Sequence, residues 1–295
     1  MRFLNPKTDF AFKKIFGSTQ STDILLSFLN AVLGLQSPYR IAGVTILDPY
    51  QAPRIVGMKD TYVDVRAVDE TGRQFIVEMQ VLNVQGFEQR VLYNACKAYA
   101  GQIQVGEDYR ALTDVIALTI TDFVMFPERL DVVSKFKLRA HDGELYGDDL
   151  ELVFAELPKF DKDETQLDDI ADRWFYFLKR ARDLTMIPAV LEQDPPIMHA
   201  FDIANRAGLS EEEDEAQSKR EIFIQDQIGA LMKAKAEGEA KGFLAGETKG
   251  RADGKAEGEQ AERLRIARSL LPLFDDEKIA GVTGLDIAAV RALRH

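Results

Sequence analysis

Asp64, Glu78 and Gln80 are the residues of this chain whose types and spacing best suit chemistry. They fall in two stretches that alternate apolar and polar residues, Tyr62-Val63-Asp64-Val65-Arg66 and Phe75-Ile76-Val77-Glu78-Met79-Gln80, and each reads as a strand. Side chains on a strand alternate between faces, so Val63, Val65, Val77 and Met79 would face a core while Asp64, Glu78 and Gln80 share the other side. Two carboxylates and an amide oxygen are hard donors of the kind that Mg²⁺ prefers and Mn²⁺ accepts. A metal held there would suit phosphodiester hydrolysis. The competing reading is a half-solvated hairpin whose polar face meets only water.

The turn decides whether the two carboxylates meet. With Glu70-Thr71-Gly72 as a three-residue loop and the glycine left-handed, Asp69 pairs with Arg73 and Asp64 lies opposite Glu78. Directly opposed Cβ atoms are about 4.5–5.5 Å apart, close enough to share an ion. One more loop residue would send the carboxylates to opposite faces. Opposed like charges are also destabilising without a cation between them.

Those residues sit among others that resemble a known family. Asn5-Pro6-Lys7-Thr8-Asp9-Phe10-Ala11-Phe12-Lys13-Lys14-Ile15-Phe16-Gly17 is similar to the N-terminal signature of the recombination-promoting nuclease and transposase family of the PD-(D/E)XK nuclease superfamily. Ile24-Leu25-Leu26-Ser27-Phe28-Leu29-Asn30 resembles its second helix, and Glu78-Met79-Gln80 its catalytic E-x-Q. Arg90, Tyr93 and Tyr99, with Gly106 and Tyr109 beyond, look like the helix that follows. The likeness runs to about residue 160, with a weaker echo near the C-terminus. It implies an α/β restriction-endonuclease-like mixed sheet flanked by helices, with a helical C-terminal extension. It also implies a Mg²⁺-dependent DNA endonuclease, with Mn²⁺ as substitute, that promotes recombination or transposition. Asp64 and Glu78 would hold the metal, and Gln80 would stand where the superfamily usually has lysine. An amide can orient water but brings no charge, so a nearby Lys or Arg would have to supply it. Asp9, on the first helix, is an additional candidate, against the simpler reading of a carboxylate at a helix N-terminus.

The net charge of −12 argues against a broad DNA-binding surface, but it is unevenly spread. Residues 1–120 hold 12 basic and 12 acidic side chains, whereas residues 121–295 hold 25 and 37. A neutral domain can still grip DNA through a local cluster. Lys13, Lys14, Lys59, Arg66 and Arg90 are the DNA-contact candidates, with Arg73 and Lys97 beside them. The single Cys96 excludes an internal disulfide and is expected to be a packed thiol. His141, His199 and His295 lack metal-ligand or triad spacing. With neither a signal peptide nor a run long enough to span a membrane, a cytoplasmic location is expected.

Around the hairpin the pattern predicts helices over 7–16 and from Ser21 to Leu33, and strands over 44–50 and 53–57. A helix over 87–104, a buried strand over 115–120, strands over 132–139 and 151–157, and an aromatic helix over 165–184 follow. Residues 1–205 are read as the nuclease-like domain, 206–261 as an acidic and glycine-repeat helical linker, and 262–295 as a small helical element. In the linker Gly238, Gly242, Gly246, Gly250, Gly254 and Gly258 recur every fourth residue. That ladder reads either as a helix face for close approach by a second helix or as a weakly helical tether, since each glycine costs about 1 kcal/mol against alanine. The C-terminal helices resemble a helix-turn-helix around Gly284, but six basic against five acidic groups favour assembly over DNA binding. Homo-oligomers through this region are therefore expected. Two other functional readings stand beside the endonuclease: a non-catalytic DNA- or protein-binding module on a decayed nuclease fold, and an acidic C-terminal half that inhibits by mimicking DNA.

Overall fold

The turn at Glu70-Thr71-Gly72 forms as the register argument requires. In the computed structural model, which describes residues 3–51 and 61–294, Gly72 has φ +90° and the Asp69 N–H donates to the Arg73 carbonyl at 3.1 Å. The Asp69 carboxylate reinforces the loop by accepting from the Thr71 N–H at 2.9 Å and the Arg73 N–H at 3.0 Å. The flanking strands, β4 (Val65–Asp69) and β5 (Gln74–Gln80), pair antiparallel with Val65 opposite Val77. Continued by one residue, that register sets Asp64 opposite Glu78.

The first strand of the hairpin is shorter than expected. The ladder stops at Val65, and Thr61–Tyr62 pairs instead with Tyr50–Gln51 in a separate two-stranded sheet. With β1 (Val44–Leu47) ahead of them, these short strands are β2 (Tyr50–Gln51) and β3 (Thr61–Tyr62). The bend between the two sheets turns Val63 out of the expected set. Val65, Val77 and Met79 join the main core, but Val63 packs with Ile76, Ala95 and Ala98 on the other side. The strand expected over 53–57 and the candidate Lys59 lie outside the described residues.

The main sheet has the order β1-β4-β5-β6-β8-β7, with β6 (Val115–Thr121), β7 (Val133–Lys137) and β8 (Leu150–Glu156). Its centre is parallel, β5 to β6 to β8, and its other pairs are antiparallel. Every residue of β6 is buried, as a continuous apolar run in a covered central strand demands. One face of the sheet carries α1 (Asp9–Phe16), α2 (Thr22–Val32), α4 (Ile170–Arg180) and α5 (Pro195–Ala204), whose apolar sides share a core with β4, β5 and β6. Trp174 is at the centre of that core, against Phe16, Phe28 and Phe177. Its loss would cost roughly 3–5 kcal/mol. The other face is covered by α3 (Phe87–Ala100), the crossover between β5 and β6, through Ala95 and Ala98. This is the expected mixed α/β architecture. Cys96 is a correction: it is exposed, because Val91, Ala95 and Ala98 are the side of α3 that meets the sheet.

Beyond α5, the chain enters α6 (Glu211–Leu270), a continuous helix of 60 residues. Its start is a capping box. The Ser210 hydroxyl accepts from the Glu213 N–H at 3.2 Å, and the Glu213 carboxylate accepts from the Ser210 N–H at 3.0 Å. Within the acidic run, Glu213 pairs with Lys14 and Asp214 with Arg206. Two compact units divide within this helix, residues 1–225 and 226–295. The second has its own small core of Ala267, Ile279, Leu285 and Val290, closed by α7 (Asp276–Thr283) and α8 (Ile287–Ala292). Gly284 caps α7 at φ +70°, and the Asp286 carboxylate caps α8. None of the described helices is long and apolar enough to cross a membrane.

Candidate active site

The polar end of the hairpin opens into a cleft of about 390 Å³, lined by both arms, α1, α3 and the start of α6. Asp64 enters it from the bend, not from a strand. Freed from the ladder, its side chain takes over a ladder bond: Oδ2 accepts the Met79 N–H at 2.8 Å. That bond ties the Asp64 carboxylate to the backbone between Glu78 and Gln80. Glu78 reaches the same cleft from β5 and is only 8% exposed. Its Oε1 accepts from Asn94 Nδ2 of α3 at 2.8 Å, and Asn94 is itself buried.

Helix α1 supplies a second acid and a cation. Its N-cap Thr8 accepts from the Ala11 N–H, which fixes the first turn and aims Asp9 and Lys13 to one side. Lys13 Nζ lies 2.7 Å from Asp9 Oδ1 and 3.5 Å from Asp64 Oδ1, so one ammonium serves two carboxylates. Asp9 and Asp64 also lie close enough for each to shift the ionisation of the other. Burial, the hydrogen bond with Asp9 and the nearby Asp9 charge push Asp64 up to about 7, against the Met79 N–H and Lys13. Asp9 moves the other way: burial opposes its ionisation, but the bonds to Lys13 and Asp64 prevail and hold it below the usual carboxylate range. Burial likewise raises Glu78, despite the Asn94 bond and the positive charges of Arg90 and Lys13.

Gln80 is held at both ends. Its Nε2 donates to the Leu82 carbonyl at 2.7 Å and its Oε1 accepts from Arg90 Nη2 at 2.6 Å. The amide therefore stations a guanidinium at the place where the expected E-x-Q lacks a lysine. Arg90 also lies over the Phe87 ring, 5.4 Å from its centroid.

The structure thus brings Asp9, Lys13, Asp64, Glu78, Gln80 and Arg90 to one cleft. Lys14 lies apart from that lining, with its ammonium on Glu213. Arg66 is also outside it and donates to Gln74. Arg73 is paired with Asp69, and Lys97 is buried with its ammonium on the Gln51 carbonyl. Lys7 and Arg220, which line the cleft, escaped the sequence reading, and so did Asn94, the buried partner of Glu78. Lys7 is bonded to Asp122 at 2.8 Å. The signal for Arg220 was the Ser210–Glu213 capping box, which announces a helix where the acidic run reads as a solvated boundary.

Among the described residues no group of three or more His, Cys, Asp or Glu is arranged to hold a metal ion. The donor set nonetheless fits a divalent cation of the Mg²⁺ type. Such ions keep several waters and take only one or two carboxylates plus substrate phosphates. Asp64 is half-buried and Glu78 buried, and burial opposes the ionisation of both, the condition that a bound cation relieves.

A family model described as PD-(D/E)XK nuclease family transposase matches residues 6–234. The match runs well past residue 160, where the sequence likeness seemed to fade, and takes in α4, α5 and the first turns of α6. No curated protein and no solved structure matches significantly.

Proposed function

The chain belongs to the PD-(D/E)XK nuclease family of transposases, and from that premise we propose that it is a divalent-metal-dependent DNA endonuclease. The observation that carries this reading is the pairing of Asp64 and Glu78. They are a half-buried and a buried carboxylate that face one another when the register of β4 and β5 is continued by one residue, open to a cleft that also holds Lys13 and Arg90. Asp64 and Glu78 would hold Mg²⁺, or Mn²⁺ in its place. The metal would supply an activated water and neutralise charge on the phosphate under attack.

The remaining roles belong to the chain's own side chains. Asn94 fixes the Glu78 carboxylate, and the Met79 N–H fixes that of Asp64. Lys13 bridges the carboxylates of Asp9 and Asp64. With a cation on Asp64, Lys13 would remain on Asp9 and keep donors to spare for a phosphate. Gln80 orients Arg90, whose guanidinium donors can take two phosphate oxygens at once. These contacts reach the DNA backbone and not base edges, so little sequence preference is expected from them. Cytoplasmic DNA as substrate, promotion of recombination, and assembly through the C-terminal helices complete the proposal.

The non-catalytic alternative finds support in Gln80, whose amide is already engaged at both ends within the chain, by Leu82 and Arg90. Nicking of supercoiled plasmid with Mg²⁺, Mn²⁺ or EDTA separates the two readings. Metal-dependent nicking that disappears in both Asp64→Ala and Glu78→Ala supports the endonuclease. Nicking absent under every condition, or equal in all three proteins, leaves the binding module.

A further inference from the structure

The start of α6 is tied to the helix that carries Asp9 and Lys13. Gln217 is fully buried, and its Oε1 accepts from the Thr8 hydroxyl at 3.0 Å. Thr8 is the N-cap of α1, also fully buried. One turn to either side on the same helix face, Glu213 holds Lys14 at 2.6 Å, and Glu221 accepts from Gln217 Nε2 at 3.0 Å. Glu221 also lies 3.6 Å from Arg182. Residues 213, 217 and 221 are spaced by four, so this one face fixes the rotation of the helix.

That rotation turns Arg220, Phe223 and Ile224 to the cleft that holds Asp64 and Glu78. Arg220 is exposed and sits over the Phe223 ring, 5.5 Å from its centroid. Among the described residues it forms no ion pair, whereas Lys7, Lys13, Lys14, Arg182 and Arg206 all do. A guanidinium braced on an aromatic ring, near enough to Asp9 to favour its ionisation but outside ion-pair distance of any described carboxylate, is poised at the mouth of the cleft for an anion.

We propose that Arg220 is a substrate-phosphate contact, and that the first turns of α6 are a wall of the DNA-binding cleft. The phosphate belongs to the strand that lies across Asp64 and Glu78. This rests on the nuclease reading for the identity of the ligand, but its test does not need turnover.

The experiment measures binding of a fluorescein-labelled 20-base-pair DNA duplex to the full chain by anisotropy, across a salt series, with Ca²⁺ as the only divalent ion. Wild type is compared with Arg220→Ala, Arg220→Lys and Lys219→Ala. Lys219 is the neighbouring cation, exposed and paired with Glu215, and controls for the lost charge. Removal of one phosphate contact lowers the slope of log K against log salt by about 0.9 on a duplex. Arg220→Ala is expected to show that drop with several-fold weaker binding, and Arg220→Lys to keep the slope. Lys219→Ala is expected to match wild type. A slope unchanged in Arg220→Ala, or lowered equally in Lys219→Ala, overturns the proposal, and so does a wild type that binds no DNA. A wild type that binds with the expected Arg220 effect yet never nicks plasmid would defeat the endonuclease and leave Arg220 standing.

Discussion

The two units of this chain spend their charged residues differently. In residues 1–225, ion pairs join distant parts of the sequence: Lys14 to Glu213, Lys7 to Asp122, Arg173 to Asp194. Some are partly buried, and Lys13 is shared by two carboxylates in a cleft. In residues 226–295, the pairs along α6 join neighbours one turn apart, Lys233 to Glu237, Lys235 to Glu239 and Lys255 to Glu259, all exposed. Charge in the first unit positions elements and builds a site. Charge along α6 in the second keeps a long helix in water, where exposed pairs contribute little, although Arg291 and Arg294 both reach back to Asp276. The net charge of −12, alarming for a DNA-binding protein, is therefore a poor guide to what the cleft can hold.

The contrast is sharpest at its chemical extreme. Asp64→Asn or Glu78→Gln should each lower metal-dependent plasmid nicking more than 100-fold, because even an outer partner of a metal ligand is typically worth 10–100-fold. Lys255→Ala, in the second unit, should leave nicking unchanged. Equal losses in the two units would erase the distinction. Asn94→Ala should fall between them, about 10–100-fold down, because it frees the Glu78 carboxylate from its hydrogen bond to α3 without removing a ligand. A lower affinity for Mg²⁺ at unchanged thermal stability would separate that role from simple packing.

What the sequence could tell follows the same divide between local and distant causes. The carboxylate register was readable because three consecutive residues, Glu70-Thr71-Gly72, set it. The main core was readable from periodicity, down to Trp174. The end of the strand at Asp64 was not, because it depends on Tyr62 pairing with Tyr50, a contact no local pattern encodes. Nor was the exposure of Cys96, which turns on which side of α3 meets the sheet. Arg220 was hidden most deeply. Its place depends on a buried bond between Thr8 and Gln217, 209 residues apart in sequence.

The cleft should also betray itself through pH. Asp64 has a folded pKa of about 7, raised from an ordinary 3.8. A raised carboxyl stabilises the fold fully below its unfolded value and loses that contribution as pH rises through about 7. Asp9 has the opposite sign, and its contribution is lost only in acid. At pH 8 without metal, Asp64→Asn should therefore melt higher than wild type, by about 2–4 °C for each kcal/mol relieved. At pH 5 the difference should shrink. Mg²⁺ should raise the wild-type melting temperature at pH 8 and leave Asp64→Asn unmoved, because only a ligand that binds the folded state shifts its stability. An Asp64→Asn protein less stable than wild type at pH 8 would show that Lys13 already compensates the charge.

The smallest effect belongs to the glycine ladder, and there the second unit can be tested on its own terms. The stretch is helical throughout, and a Cβ added at Gly238, Gly242, Gly246, Gly250, Gly254 or Gly258 would meet nothing within 4 Å. Among the described residues no neighbour approaches these positions, so packing among them does not require the glycines. An alanine there gains about 0.5–1 kcal/mol of helix stability, mostly by narrowing the unfolded ensemble. The triple change Gly242→Ala, Gly246→Ala, Gly250→Ala should accordingly raise helix content on heating by circular dichroism and leave nicking and oligomeric mass as they were. A fall in mass by light scattering would give the glycines a different meaning: a second helix, from another copy, that needs the missing Cβ atoms in order to approach. The ladder would then select a partner as Thr8 and Gln217 select one another in the first unit, and the contrast between the two units would become one of reach, contacts within a chain against contacts between chains.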